Sequence, residues 1–202
     1  IVRYKDIAAQ LRDRPQNLDN LRLGAGRFLV GLGKKVLLAN LLGEVCAAWR
    51  VTGDPSVLFS WLYALSYTLH IYFDFSGYSD MAIGIGSFFG LELPENFNYP
   101  YLSCSVGEYW RRWHISMTGW FRDYVYFSLG GSRCAPWRHY LNIVIVFLCS
   151  GLWHGADWRY LAWGLACGIL AAFGAMTAKA RKRMEKFNPL YQEAWLKTVC
   201  QV

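Results

Sequence analysis

Charged residues are scarce in this chain. They make up 17% of its 202 residues, whereas soluble globular domains average about 25%. Hydrophobic residues account for 54% of the chain and aromatic residues for 17%. This composition disfavours an ordinary soluble domain, and it indicates apolar segments that are separated by charged, amphipathic ones.

Common catalytic and metal-binding motifs are also missing. The sequence contains no GxSxG, no HExxH and no P-loop, so none of the enzyme classes that these motifs mark is indicated. Its six cysteines form no CxxC pair. They are more typical of small buried hydrophobic residues in a reducing compartment than of a disulfide framework or a zinc site. We therefore predict no metal site and no bound cofactor.

The net charge of +7 comes without the signs of a nucleic-acid-binding protein. There is no zinc-finger spacing, recognition-helix pattern or RNP-like stretch, so we predict no nucleic-acid partner. Basic residues instead flank apolar runs, as in the cytoplasmic anchors of membrane proteins. There is no initiator Met and no signal-peptide pattern, and we expect an N-terminally incomplete copy of a longer polypeptide.

Three apolar runs predict membrane-embedded helices. Residues 56–73 carry no formal charge if His70 is neutral, and as a helix they would be roughly 27 Å long, close to the thickness of the hydrocarbon layer. Residues 141–153 and 160–176 form the other two runs. The basic cluster at 179–186 directly follows the last run, which predicts a cytoplasmic end for that helix.

The remaining segments are shorter or more polar. Residues 23–49 are apolar but interrupted by charge, which predicts two short helices or a segment at the membrane interface. Residues 81–91 are too short to cross a membrane, and the prolines and asparagines of 92–101 predict a loop. We therefore predict an all-α integral membrane protein, a multi-helix body with short and broken helices. It would form a single domain over residues 1–202 that ends in a basic, cytoplasmic tail at 179–202.

The stretch "GEYWRRWHISMTGWFRDYVYFSLGG" (107–131) combines tryptophans with arginines. Helical periodicity over residues 108–122 predicts an amphipathic helix. In this helix Glu108 would lie three and four residues before Arg111 and Arg112, a spacing that allows ion pairs. Such a helix suits the membrane surface. The histidine of this helix, His114, either only packs at the membrane surface or lines an internal cavity. The aromatic face of this helix would carry Trp110, Trp113, His114, Met117 and Phe121.

A second histidine lies in "SGLWHGADW" (150–158). His154 follows an apolar run, and a histidine at membrane depth is a functional candidate by default. Its ordinary pKa near neutrality suits proton abstraction. The alternative is a histidine that is hydrogen-bonded at a helix end and takes no part in chemistry.

Further titratable residues lie in "LHIYFDFSGYSD". His70 and Asp74 are four residues apart and could pair on one helical face. Together with Asp80 they would suit a proton path. Two other function classes therefore remain open from the residues alone, namely a proton-coupled transporter and a non-catalytic membrane subunit. We expect His139 to be solvent-exposed.

Long stretches of the sequence resemble the membrane-bound O-acyltransferases. The similarity is greatest to the bacterial branch that includes the alginate O-acetylation protein and the teichoic-acid D-alanylation membrane protein, and it covers about residues 1–170. The stretches that carry it are "IVRYKDIAAQL", "GLGKKVLLAN", "YFDFSGYSDMAIGIGSFFGLELPENFNYPY", "EYWRRWHISMTGWFRDYVYFSLGG" and "GLWHGADWRYLAWG".

The resemblance implies a ring-like body of short and tilted helices around a tunnel, in a multi-pass protein of the bacterial inner membrane. His154, in the "WHG" motif, corresponds to the family's invariant histidine. His114, in "WRRWH", corresponds to the second site residue. Two departures from the family pattern are expected: the family's further N-terminal spans would not be part of this sequence, and the region after Trp163 lacks a "YHG"-like stretch.

The resemblance implies a reaction that transfers an acyl group from a cytoplasmic thioester to a hydroxyl. We expect this acyl group to be acetyl. The donor would be acyl-CoA or an acyl carrier protein, and the acceptor an exported polysaccharide such as alginate or an extracytoplasmic relay protein. His154 would act as general base. His114, or a backbone N–H near Gly155, would stabilise the oxyanion.

Two further groups of residues are expected near this site. The first would line or support the tunnel. The second would bind lipid phosphates of the membrane or contact an acidic carrier. The tunnel group comprises Trp110, Trp113, Trp153, Asp74 and Asp80, and the second group comprises Arg111, Arg112 and Arg122.

Overall fold

The computed structural model describes residues 2–12, 14, 17–52 and 56–187. All secondary-structure elements in this described part are helical. The chain divides into two compact units. We call Val2–Asn96 the N-terminal unit, and the part that begins at Phe97 the C-terminal unit.

The N-terminal unit contains four α-helices and one π-helical segment within its described residues. Two of the helices begin at polar caps: the side chain of Asn17 accepts the N–H of Asn20, and the side chain of Ser56 accepts the N–H of Phe59. Each cap satisfies one otherwise free N–H of its first turn. The elements are α1 (Tyr4–Arg12), α2 (Leu18–Gly33), the π segment Lys34–Ala39, α3 (Asn40–Val51) and α4 (Val57–Phe88).

Helices α2 and α4 touch through glycines. A Cβ atom at Gly24 would lie 2.6 Å from the carbonyl oxygen of Gly84, and one at Gly31 would lie 2.6 Å from that of Gly77. Both glycine pairs are spaced seven residues apart on their helices, so they lie on the contacting faces. The absence of side chains lets the two backbones approach closely, as at helix contacts in membranes.

Charged side chains also join α2 and the π segment to α4. The Asp80 carboxylate accepts hydrogen bonds from Arg27 Nε at 2.7 Å and from Lys34 Nζ at 2.6 Å. Asp74 pairs with Lys35. His70 Nδ1 lies 2.7 Å from the carbonyl oxygen of Ala39, to which it must donate because a carbonyl only accepts. The predicted pair of His70 with Asp74 is therefore not formed.

The C-terminal unit contains a helical hairpin preceded by short helices. A Cβ atom at Gly151 would lie 2.4 Å from the carbonyl oxygen of Tyr160, and one at Gly164 would lie 2.6 Å from that of Phe147. The hairpin helices thus pack with their backbones in contact. The elements are the 3₁₀ turn Pro100–Leu102, α5 (Val106–Arg112), α6 (Ile115–Phe121), the π segment Arg122–Tyr126, α7 (Pro136–His154) and α8 (Trp158–Phe187).

Two of the predicted apolar runs are confirmed as helical, and the predictions for two other segments are corrected. The apolar runs at 141–153 and 160–176 lie in α7 and α8. Residues 23–49 belong to one helical stretch rather than two separate short helices, because the π segment connects α2 to α3 without a break. Residues 81–91 do not form a separate segment, because α4 continues through them as far as Phe88.

The membrane prediction is supported at one helix. Within the described residues, one segment, Trp158–Ala178, is long and apolar enough to cross a membrane. The run at 56–73 is helical, but its tyrosines, serines and histidine make it less apolar than that segment. A multi-pass arrangement and a single domain over 1–202 stay predictions. Of the predicted tail at 179–202, residues 188–202 lie outside the described part.

Candidate functional site

The tryptophan-rich stretch is broken at its histidine. The predicted helix over 108–122 is wrong, because α5 ends at Arg112 and α6 begins at Ile115. His114 lies between them with φ 44° and ψ 54°, a left-handed conformation. This conformation costs an L-residue about 1–2 kcal/mol, and such strain clusters at functional sites. The break removes His114 from the helical face that the periodicity assigned to it.

His114 is buried. The residue is 5% exposed, and its ring stacks on Phe97 with 6.4 Å between the ring centroids. Burial lowers the pKa of His114 to about 4, because removal from water disfavours the imidazolium. At neutral pH the ring is therefore an uncharged hydrogen-bonding group.

His154 ends α7 and is exposed in the described chain. Its ring packs edge-on against Trp163, with ring centroids 5.2 Å apart, and lies 6.3 Å from Tyr160. Gly155 follows with φ 156°, and a Cβ atom there would lie 2.6 Å from the Tyr160 ring. A side chain at this position would therefore have to displace the Tyr160 ring or the end of α7.

Trp153 links the two histidines. Its indole lies edge-on to His114 at 6.3 Å between ring centroids, and edge-on to His154 at 4.9 Å. The structure therefore brings together two histidines that are forty positions apart in the sequence. One is buried and neutral, and the other is accessible.

The neighbouring tryptophans of the "WRRWH" motif support this arrangement in different ways. Trp110 contacts α7 and α8, with its ring 5.0 Å from Phe147 and 6.1 Å from Trp163. The Trp113 ring lies 5.0 Å from Phe97, the residue that also stacks on His114. These predicted supporting residues thus contact the surroundings of both histidines.

The three predicted anchoring arginines differ in their surroundings. Arg112 Nε donates to Glu108 Oε1 at 3.0 Å, which confirms the predicted pairing along the helix, and Arg112 Nη1 donates to the carbonyl oxygen of Asn98 at 3.2 Å. Arg111 and Arg122 instead line a cavity of about 530 Å³ between α5, α6, α7 and α8. Among the described residues that line this cavity, neither histidine is found.

The remaining predicted tunnel residues lie in the N-terminal unit. Asp74 and Asp80 are held there by lysine and arginine side chains. Their place in a tunnel stays a prediction. Within the described residues, no cluster of three or more histidine, cysteine, aspartate or glutamate side chains could hold a metal ion.

Comparison with known proteins identifies the family. The model of MBOAT, the membrane-bound O-acyltransferase family, matches residues 1–199. The chain belongs to this family. Membership makes it a membrane protein, in agreement with the apolar segment of α8.

Three relatives of this membrane-bound O-acyltransferase chain have named activities. It is 46% identical over 164 residues to the Probable alginate O-acetylase AlgI of Azotobacter vinelandii, which covers 81% of this chain and 33% of the relative. It is 38% identical over 202 residues to the Peptidoglycan O-acetyltransferase of Helicobacter pylori, and this match covers 98% of this chain and 38% of the relative. It is 32% identical over 190 residues to the Teichoic acid D-alanyltransferase of Bacillus subtilis, and this match covers 88% of this chain and 45% of the relative. The chain thus spans less than half the length of these relatives.

Three aromatic residues at the site were missed by the sequence analysis, and one of them is Trp163, which packs edge-on against His154. Phe97 stacks on His114, and Tyr160 covers both His154 and the adjacent glycine. Tyr160 lies within the family-like "GLWHGADWRYLAWG" stretch, so its position near the motif was an available signal. Phe97 lies in a loop, where no periodicity indicates which way a side chain points.

Proposed function

We propose that this chain carries the catalytic histidines of a membrane-embedded acyltransferase. The enzyme transfers an acyl group, acetyl in our proposal, from a cytoplasmic thioester to a hydroxyl of an exported cell-surface polysaccharide. The observation that carries the proposal is the packing of His114 and His154 against the same indole, Trp153. The relatives' names, which specify alginate, peptidoglycan and teichoic acid, support the acceptor class.

The different environments of the two histidines suggest different roles. His154 is accessible, and it ends a helix beside a glycine, so an acceptor hydroxyl can approach it. It takes the hydroxyl proton while the hydroxyl oxygen attacks the thioester carbonyl carbon. The carbon–sulfur bond then breaks, and His154 returns the proton to the departing thiolate. The products are an ester and a free thiol.

His114 suits the developing negative charge. Its burial keeps it neutral, so one ring nitrogen carries a hydrogen that can be donated to the carbonyl oxygen. A buried donor stabilises an oxyanion more strongly than a solvated one. We assign His114 to this role, and the backbone N–H of Gly155 is the alternative donor.

We place this reaction in the bacterial inner membrane. The apolar segment Trp158–Ala178 is followed by the basic cluster at 179–186, which favours a cytoplasmic position for that end. The thioester, acyl-CoA or an acyl carrier protein, would approach from this side. An exported polysaccharide, or a relay protein outside the membrane, would accept the acyl group on the other side.

The transporter alternative has less support. The carboxylates that would form its proton path are engaged in ion pairs between helices, and Asp80 is held by Arg27 and Lys34. Asp74 pairs with Lys35. Both carboxylates therefore have a structural role, because they join α4 to α2 and the π segment.

Replacement of His154 by alanine in the intact membrane protein tests the proposal. We expect base-labile esters on the cell-surface polysaccharide to disappear while the abundance of the protein in the membrane stays normal. His139→Asn is the matched control, because its amide can still bond Tyr126, the partner of His139. Normal ester content in the His154 variant would refute the assignment.

A further inference from the structure

The cavity between α5, α6, α7 and α8 has a wall of small residues. Helix α8 contributes four of them, spaced as one helical face. A Cβ atom at Gly174 would meet no heavy atom within 4 Å, so this wall has open space before it. The facing wall from α7 is apolar and includes Ile143, Val146 and Phe147. The four residues of α8 are Ala171, Gly174, Ala175 and Ala178.

Two guanidinium groups give this apolar cavity a positive charge. Arg111 lines it, and its positive charge helps to lower the pKa of the Glu108 carboxyl. Arg122 also lines it and pairs with Asp123 at 3.0 Å, while 58% of the arginine side chain stays exposed. Together with Arg112, which pairs with Glu108, three cations therefore stand against two carboxylates. The excess charge suits an anion, and guanidinium groups bind phosphate oxygens in paired hydrogen bonds.

The cavity lies at a suitable depth for a lipid head group. Its α8 wall occupies residues 171–178, the last two turns of the segment Trp158–Ala178 that could cross a membrane. At 1.5 Å per residue, this wall lies within about 10 Å of the end of that segment. The basic cluster at 179–186 follows directly, and such clusters attract anionic lipids.

We propose that this cavity binds one anionic phospholipid of the surrounding membrane. Its phosphate pairs with Arg111 and Arg122, and one acyl chain lies along the face of small residues on α8. The acyl donor is a poorer occupant, because its thioester must reach the two histidines and neither lines the cavity. Lipid binding here does not require that the chain transfer acyl groups.

Lipid content of the intact purified protein tests the proposal. Native mass spectrometry in mild detergent should show one phospholipid on the wild type. The double variant Arg111→Gln, Arg122→Gln should reduce its occupancy by about tenfold or more, because two charge-assisted contacts are lost. Arg138→Gln, which changes an exposed arginine outside the cavity, should leave occupancy unchanged.

A second variant separates the cavity from its charge. Gly174→Leu fills the open space while both arginines remain, and it should also displace the lipid. Gly26→Leu is its control, because this exposed helical glycine likewise has no heavy atom within 4 Å of a built Cβ. If Gly174→Leu does not fold, Ala175→Val makes the same test with a smaller side chain.

Added lipids distinguish the possible occupants. After delipidation, phosphatidylglycerol should raise the Tm of the wild type but not that of the double arginine variant, and phosphatidylcholine should have a smaller effect. Equal lipid content in the wild type and in both cavity variants would overturn the proposal. It would also fail if coenzyme A raised the Tm through these arginines while phosphatidylglycerol did not, because the cavity would then serve the donor.

Discussion

The ring of Tyr160 covers Gly155 so closely that a Cβ atom at the glycine would lie 2.6 Å from it. The same ring lies 6.3 Å from that of His154. A substitution at Gly155 must therefore move Tyr160, shift the end of α7, or do both. The position of His154 depends on a contact made by its sequence neighbour.

We expect Gly155→Ala to lower ester formation by about tenfold or more, because small displacements of catalytic groups have large effects on rate. The measurement is the polysaccharide ester content at matched protein abundance. Gly119→Ala is the control, because a Cβ atom at Gly119 meets no heavy atom within 4 Å. Full activity of Gly155→Ala would show that the site tolerates a displaced tyrosine.

The glycine contacts between α2 and α4 predict a stability effect that is unrelated to catalysis. A Cβ atom at Gly31 would lie 2.6 Å from the carbonyl oxygen of Gly77. Gly31→Ala should therefore lower the free energy of unfolding by about 1–3 kcal/mol, the usual cost of overpacking. The measurement is thermal unfolding of the purified protein in detergent.

Gly33→Ala provides the comparison within the same helix. Its Cβ atom would meet no heavy atom within 4 Å, and alanine is favoured over glycine in helices by about 1 kcal/mol. We expect an unchanged or higher Tm. A similar loss of stability in both variants would argue against close contact at Gly31.

The sequence predicted the helical class and the long C-terminal helices, because their apolar runs are continuous. It did not predict the break at His114. Periodicity over residues 108–122 was satisfied by a continuous helix, whereas the structure has a left-handed residue between α5 and α6. Local sequence does not encode such a break, because the cost of the conformation is offset by the surrounding packing.

Ion pairs between charged side chains were predictable within one helix but not between helices. The pairing of Glu108 with Arg112 follows from their spacing and is present. The partners of Asp74 and Asp80 come from α2 and the π segment, some forty to fifty positions earlier. A single sequence does not show which distant lysine or arginine reaches a given carboxylate. The histidine pair was indicated by family resemblance, and its shared contact with Trp153 required coordinates.

Asp80 should contribute more to stability than Asp74. The Asp80 side chain is 7% exposed and accepts from both Arg27 and Lys34. Asp80→Asn would leave two cations facing a neutral amide. Because these cations are partly exposed, we expect a loss of about 1–3 kcal/mol in the free energy of unfolding, less than for a fully buried pair.

Asp74→Asn is the matched substitution on the same helix. Both Asp74 and Lys35 are more than a third exposed, so water screens their attraction and the loss should be below about 1 kcal/mol. Comparison of the two melting curves tests this ranking. Equal effects, or a proton flux that disappears in the Asp80 variant, would restore weight to the transporter alternative.

The environment of His114 predicts how the protein responds to pH. Its folded pKa of about 4 lies below the ordinary value of 6.5. Between these values the unfolded chain binds a proton that the folded chain does not. The burial of His114 therefore lowers the free energy of unfolding progressively as the pH falls from about 6.5 to 4. Above about pH 7 it adds no pH dependence to that free energy. His114→Gln should remove that part of the acid sensitivity, measured as Tm against pH, relative to wild type.

The same substitution tests the oxyanion role. Glutamine retains an N–H donor, whereas His114→Ala has none. We expect alanine to lower kcat by about 10²–10³-fold, as when an oxyanion donor is removed, with a smaller change in KM and partial activity in the glutamine variant. Because the proposed donor is a neutral imidazole, His114 should not limit the rate between pH 6 and 8. Equal loss of activity in the alanine and glutamine variants would mean that the imidazole ring serves packing rather than hydrogen bonding.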